Sequence, residues 1–205
     1  MENKIFSAFL YNKELKFSEI EKFVNERSNK IAYYLDKLVK KSVLVKNKDK
    51  YKLSEIAEEM IPYLTDKKSV LPVILISIEK NKKIFLIKRQ KRPFKNKLAL
   101  PGGRILLGEK ISEAVKRIMK EKFQINVELK KINSVSLEHV KNPNSGKTIH
   151  SFLLIFVNAK PKNDGLEYLD IEKPEIKKKI ISSDYKLIKN DSDKKIDINQ
   201  IISRI

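Results

Sequence analysis

Apolar residues along the first sixty positions recur at helical spacing and are broken by short polar turns. Residues 3–11 (NKIFSAFLY) predict a short helix with Ile5, Phe6 and Leu10 inward. Ser18-Glu19-Ile20-Glu21 predicts a capping box that opens a second helix through about Val24. After the tight connection Asn25-Glu26-Arg27, Ser28 is placed to cap a third helix running to about Lys41. Within it Ile31, Leu35 and Leu38 fall at i, i+4 and i+7, one stripe for burial. Val43-Leu44-Val45 and Tyr51-Lys52-Leu53 predict a two-stranded hairpin whose tip, Lys46 to Lys50, is polar and basic. Ser54 is placed to cap a last helix, which Pro62 ends or kinks near Ile61.

The pattern changes after the polar segment Thr65 to Ser69. Val70 to Ile78 (VLPVILISI) is a nearly continuous, β-branched apolar run, as expected of a buried strand. Ile84 to Ile87 predicts a second strand, and an amphipathic helix follows at about 110–123. Val127 to Val140 and Thr148 to Ala159 predict two further strands joined by the turn Asn142 to Gly146. Residues 180–188 carry a poor helix signal, and residues 191–205 are expected to add a short helix. The chain divides into a first domain over 1–66 and a second over 70–205, of α+β class.

Composition narrows the setting. At 205 residues and 41% hydrophobic, the chain can bury a core in one or two domains. It has no cysteine, which excludes disulfides and thiolate metal sites. Residues 1–25 are charged throughout, unlike a signal peptide, and no apolar run approaches the ~20 residues of a membrane helix. The expected compartment is the cytoplasm.

The net charge of +19 points to anionic partners. Of the 45 basic residues 39 are lysine, a bias that AT-rich coding also produces, so distribution says more than total. Residues 27–52 hold nine basic residues against Asp36 and Asp49, whereas residues 1–26 hold four lysines against five glutamates. Basic charge is thus concentrated on the third helix and the hairpin.

The order helix, helix, turn, helix, hairpin, helix, with the pattern around SNKIAYYLDKLVKKSVL, resembles a winged helix-turn-helix domain. The resemblance implies that the third helix enters the DNA major groove with its N-terminal residues toward base edges. Arg27, Ser28, Asn29, Lys30, Tyr33 and Lys37 are then the candidate reading residues. Lys46, Lys48 and Lys50 on the wing are candidate phosphate contacts. A protein-interaction or dimerisation role with a solvated lysine face is the alternative.

The stretch PGGRILLGEKISEAVKRIMKEKFQI, Pro101 to Ile125, resembles a Nudix box, G-x5-E-x7-R-E-U-x-E-E-x-G-U with U apolar. Gly103, Glu109, Arg117, Met119, Glu121 and Ile125 fall on the pattern; Ile118, Lys122 and Gln124 depart from it. The resemblance implies a Nudix α/β/α sandwich over about 70–190. It also implies hydrolysis of a diphosphate linked to another group, with Mg²⁺ or Mn²⁺ held by the box glutamates. Glu121 is the remaining metal-binding and catalytic carboxylate, with Glu109 and Arg117 as supporting residues. Ile118 cannot ligate, and Lys122 brings positive charge to the cation site, so hydrolysis is expected to be impaired. Gly102, Gly103, Arg104, Lys122 and Arg89, among flanking basic residues that include Lys88, Lys91 and Lys97, are the candidate ligand-binding residues. Glu113, Glu138, Glu167 and Glu172 are the other carboxylates weighed for the metal.

Together the two resemblances imply a transcriptional regulator whose impaired Nudix domain senses a nucleotide-like ligand, a nucleoside diphosphate linked to X. Two alternatives stay open: an active Nudix pyrophosphohydrolase cleaving such a molecule, and a non-catalytic nucleic-acid-associated scaffold. The implied partners are DNA, a nucleotide-like small molecule and a second copy of the chain, with no membrane. Mg²⁺ or Mn²⁺ is expected only for an active site.

Overall fold

Ile5 and Ala8 turn one face of helix α1 (Glu2–Ala8) into a core with no exposure to solvent. The computed structural model describes residues 1–63, 68–162, 165–199 and 201. The chain forms two compact units, Met1–Lys68 and Ser69–Ile205.

In the first unit, strand β1 (Glu14–Lys16) runs directly into α2 (Phe17–Val24), and α3 (Ser28–Lys40) follows. Strands β2 (Leu44–Asn47) and β3 (Lys50–Leu53) form the hairpin. β1 adds to its other side, giving the order β1-β3-β2. The expected stripe Ile31, Leu35, Leu38 is buried and packs with Ile20, Val24, Leu44 and Tyr51. Two capping expectations are corrected. The second helix starts at Phe17, because the Glu19 carboxylate accepts the Lys16 backbone N–H at 2.7 Å. Ser28 is the first residue of α3 rather than its cap; its hydroxyl donates to Glu21. Ser54 does cap α4 (Glu55–Glu58), accepting from Ala57 N at 3.2 Å, and a 3₁₀ turn at Ile61–Tyr63 carries Pro62. Thr65, Asp66 and Lys67 of the expected linker lie outside the described residues.

The second unit is built on strand β4 (Leu71–Ser77). The expected second strand is broken into β6 (Lys83–Ile84), which pairs with β5 (Glu79–Lys80), and β7 (Ile87–Lys88), which pairs with β8 (Leu98–Ala99). Between these pairs, Phe85 and Leu86 turn into the two cores. Next come β9 (Gly102–Arg104), α5 (Ile111–Phe123), β10 (Val127–Lys141) and β11 (Thr148–Pro161). The main sheet has the order β10-β11-β4-β9, with β11 parallel to β4 and the other pairs antiparallel.

Alternation along β4 explains the layers. Ile74, Ile76 and Ile78 face α5 residues Ala114, Val115, Ile118 and Met119. Leu75 belongs to the opposite core, with Phe156, Leu187 and Ile188. Leu187 and Ile188 come from α7 (Ser182–Asp191), which follows the short α6 (Pro174–Lys177). The sheet is therefore covered by a helix on each face. The region with a poor helix signal is a helix of ten residues. Of the expected terminal helix, residues 192–199 are not helical, and Ile196 instead bridges to Ile132 of β10; residues 200 and 202–205 lie outside the described residues.

Candidate active site

The loop between β8 and α5 is shaped by its glycines. A Cβ on Gly102 would lie 2.5 Å from the carbonyl oxygen of Ile74, so only glycine lets β9 lie this close to β4. A Cβ on Gly103 would lie 3.0 Å from Ile118 and 3.1 Å from Lys122 Nζ, so α5 sits directly on that residue.

One ion pair holds the loop to the helix. Arg117 donates to both Glu109 oxygens, at 2.6 and 2.8 Å, and its third contact is the Arg104 carbonyl at 3.0 Å. Glu109 in turn accepts the Leu106 backbone N–H at 3.0 Å. The Arg117 guanidinium holds the Glu109 carboxyl below its ordinary value, and Glu109 raises Arg117. Both side chains are mostly shielded, at 11% and 24% exposure. Glu113 is engaged locally, accepting the Lys110 N–H that opens α5 at 2.9 Å.

Two of the three departures from the box pattern, Ile118 and Lys122, lie on α5, and the third, Gln124, is its C-cap. Ile118 is fully buried in the core that α5 shares with β4. Burial of an aliphatic side chain of this size contributes ~1.5–3 kcal/mol, whereas an unpaired carboxylate there would carry a larger desolvation cost. Glu121 is 61% exposed, with Arg117 at 3.4 Å. Lys122 reaches back across the loop and donates to the Gly102 carbonyl at 2.6 Å. The residue is exposed as a whole, yet its pKa is lowered, first by burial and then by Arg117, Lys91 and Arg89. Arg89 Nε donates to the carbonyls of Lys91 and Pro93, at 3.1 and 2.6 Å, folding these cations into one turn. Arg104 is exposed on β9, and its contribution to the ion-pair frame is its backbone carbonyl.

The structure thus brings together Gly102, Gly103, Glu109, Arg117, Glu121 and Lys122, with Arg89 and Lys91 close enough to perturb Lys122. Of the other carboxylates, Glu172 is paired with Lys189 at 2.8 Å and Glu167 is exposed. Glu138 is near enough to Asp184 to raise its pKa.

Asp184 was not singled out by the sequence. It sits in the first turn of α7, 4% exposed, and accepts the Leu100 N–H at 2.8 Å, just before Pro101-Gly102-Gly103. Burial raises its pKa to about 7; Glu138 adds to the rise, while the Leu100 N–H, Arg89 and Ser183 oppose it. An acidic residue in the first turn was the available signal, but no sequence pattern links it to a residue 84 positions earlier.

The candidate reading residues occupy α3 and the hairpin. Arg27, Ser28, Asn29 and Tyr33 are exposed, while Tyr34 packs on the core. Lys30 pairs with Glu26 at 3.1 Å, Lys37 with Glu2 at 3.0 Å and Lys50 with Glu14 at 3.2 Å. Lys46 lies over the Tyr51 ring, and Lys48 takes a positive φ of 56° at the hairpin tip. His139 contacts Ser151 Oγ at 2.8 Å, and His150 lies beside Phe152.

Residues 68–178 match the sequence profile of the NUDIX domain. The chain is 38% identical over 80 residues to the ADP-ribose pyrophosphatase of Methanocaldococcus jannaschii, covering 39% of this chain and 45% of that relative. The match thus spans less than half the length of that curated relative. Among solved structures, a NUDIX hydrolase from Nitrosomonas europaea is 18% identical, covers 59% of this chain and 87% of its own, and has a TM-score of 0.47. A bifunctional NMN adenylyltransferase/ADP ribose pyrophosphatase from Francisella tularensis is 16% identical, covers 83% and 50%, and has a TM-score of 0.41.

The expectation of a transcriptional regulator is corrected by these similarities. The curated relative is named a pyrophosphatase, and together with the NUDIX profile it favours the pyrophosphohydrolase alternative over the regulator. With the profile covering more than half of its 205 residues, the chain belongs to the Nudix family.

Proposed function

We propose that the second unit hydrolyses a nucleoside diphosphate linked to a further group, of the kind named by the ADP-ribose pyrophosphatase relative. The observation that carries this reading is the intact frame around the glycine loop. Arg117 clasps Glu109 through two bonds and ties the Arg104 carbonyl to α5 beside the cationic end of Lys122.

The chemistry follows from those groups. An ammonium has three donors, and Gly102 takes one from Lys122, leaving two for diphosphate oxygens. Arg89, Lys91 and Arg104 add positive charge on the approach to the same loop. Cations fixed beside a phosphoanhydride stabilise the charge that builds on the departing phosphate. Water adds its oxygen to one phosphorus, the bridging P–O bond breaks, and two phosphomonoesters leave. Glu121, exposed and next to Lys122, is the carboxylate placed to take the proton from that water.

The family's divalent cation is a separate question. Magnesium takes hard oxygen ligands in near-octahedral geometry. Here position 118 is a buried isoleucine and position 122 an ammonium bonded to the Gly102 carbonyl. Among the described residues no group of three or more His, Cys, Asp or Glu side chains gathers to hold an ion. These residues do not fit a resident divalent ion.

For the first unit we infer a winged-helix arrangement. The element order and the β1-β3-β2 sheet support it. The hydrolase reading is tested by turnover of a nucleoside diphosphate-X panel against the Glu121→Gln variant. Release of phosphomonoesters that the variant loses supports it, and no turnover of any member overturns it.

A further inference from the structure

At the far ends of β4 and β11, three adjacent strands place Lys131, Asn158 and Ser77 in one row. Asn158 is the register partner of Ser77 across the parallel pair and of Lys131 across the antiparallel pair. Register partners share a face of a sheet, so the three side chains rise on the same side. They line a cavity of about 480 Å³, which Lys130, Lys160 and Lys195 also border. None of Gly102, Gly103 and Lys122 lines it.

The floor of this cavity is polar and unsatisfied. Ser77 is 1% exposed, and its hydroxyl has no hydrogen-bond partner among the described residues. The buried Asn158 Oδ1 has none either. Nearly all buried polar atoms are paired, so two orphans side by side in one cavity call for an occupant. Around them the charge is mainly positive. Glu79 is the lining carboxylate, and Lys130 is engaged by Glu128 at 3.1 Å. Lys131, Lys160 and Lys195 have no carboxylate partner among the described residues.

We propose that this cavity is a second anion site, binding a phosphate group through the Lys131–Asn158–Ser77 row. The hydroxyl of Ser77 donates from the floor, and Asn158 donates through its amide nitrogen once the amide is turned over. Lys131 supplies a charge-assisted bond, and Lys160 and Lys195 neutralise the remaining charge from the rim. The cavity lies at the carboxyl ends of the parallel strands, where open mixed sheets present ligand crevices. The site does not depend on the hydrolase reading, because it uses none of the glycine-loop residues.

The test is a titration of the full chain with inorganic phosphate at constant ionic strength, followed by backbone amide NMR, with chloride as the control. The expected result is saturable shifts at Ser77, Asn158 and Lys131 that chloride does not produce. Lys131→Gln and Ser77→Ala are each expected to weaken binding by about tenfold. Ser77→Ala should melt no lower than the parent, since its hydroxyl has no partner among the described residues, so lost binding in that variant reports the site rather than the fold. Repeating the titration with AMP separates sources: tighter binding of AMP assigns the site to a phosphate ester, and equal or weaker binding assigns it to free phosphate. Shifts that scatter over the lysine surface without saturating, or saturable shifts unchanged in both variants, overturn the proposal.

Discussion

Lys122 Nζ lies 2.6 Å from the carbonyl oxygen of Gly102, closing the glycine loop onto the last turn of α5. The bond joins residues 20 positions apart and aims an ammonium at the loop. A Cβ at Gly103 would come within 3.1 Å of the same nitrogen, a tight contact that would press on Lys122. Lys122 is thus fitted into the site rather than dangling from the helix. Burial and the neighbouring cations Arg117, Lys91 and Arg89 all press its pKa downward.

A fitted ammonium repels a divalent ion. Titration of the parent chain with Mn²⁺ by calorimetry is expected to show no sub-millimolar site at the loop. Lys122→Glu places a second carboxylate beside Glu121 and opposite the Gly102 carbonyl, three hard oxygen sources in one place. That variant is expected to bind Mn²⁺ at least about tenfold more tightly than the parent. Equal affinity in the two proteins would show that Lys122 does not control the ion.

The Glu109–Arg117 pair is expected to act as one unit in stability. Replacing either partner alone, Glu109→Gln or Arg117→Ala, leaves the other shielded without its bonds and should cost about 1–3 kcal/mol in urea unfolding. The double variant should cost clearly less than the sum, because the pair can be lost only once. Additive losses would contradict the pairing. The pH dependence has a definite sign. Arg117 holds Glu109 below its ordinary value of 4.5, so the pair's contribution is complete above that value. It is lost as pH falls through the lowered one.

Asp184 should behave in the opposite sense. Its folded pKa of about 7 lies above its ordinary value of 3.8, so the folded chain binds the extra proton between the two. Stability from this group therefore falls as pH rises from near 4 to near 7, then levels off. Asn at 184 keeps an oxygen for the Leu100 N–H and has no charge to bury. The melting temperature of Asp184→Asn relative to the parent should rise between about pH 5 and about pH 8. A constant difference would show that Asp184 is not protonated on folding.

What the sequence could show depended on how local the cause was. Helix α5 follows from spacing within one segment and was readable, and the resemblance to the box marked Glu109 and Arg117 as supporting residues, which the structure joins as an ion pair. The stripe Ile31, Leu35, Leu38 was readable for the same reason. Helix α7 was not, because its apolar periodicity is weak and it has no side-chain cap. Burial of Leu187 and Ile188 and the bond from Asp184 to the distant Leu100 hold it in place. Strand β9 was hidden because glycines carry no strand preference; it forms because Gly102 can lie against Ile74. The charge count over residues 27–52 missed Glu2, Glu14 and Glu26, which fold back onto Lys37, Lys50 and Lys30. The bond from Lys122 to Gly102 was beyond any linear pattern, since it requires β9 and α5 to be packed first.

The most direct test of the account is steady-state hydrolysis of ADP-ribose and related nucleoside diphosphate-X compounds with Mg²⁺ or Mn²⁺ present, comparing the parent with Glu121→Gln and Lys122→Gln. The expected outcome is release of two phosphomonoesters, a fall in kcat of about a hundredfold in Glu121→Gln, and a raised KM together with a lowered kcat in Lys122→Gln. No turnover of any compound, or turnover that neither substitution changes, would contradict it.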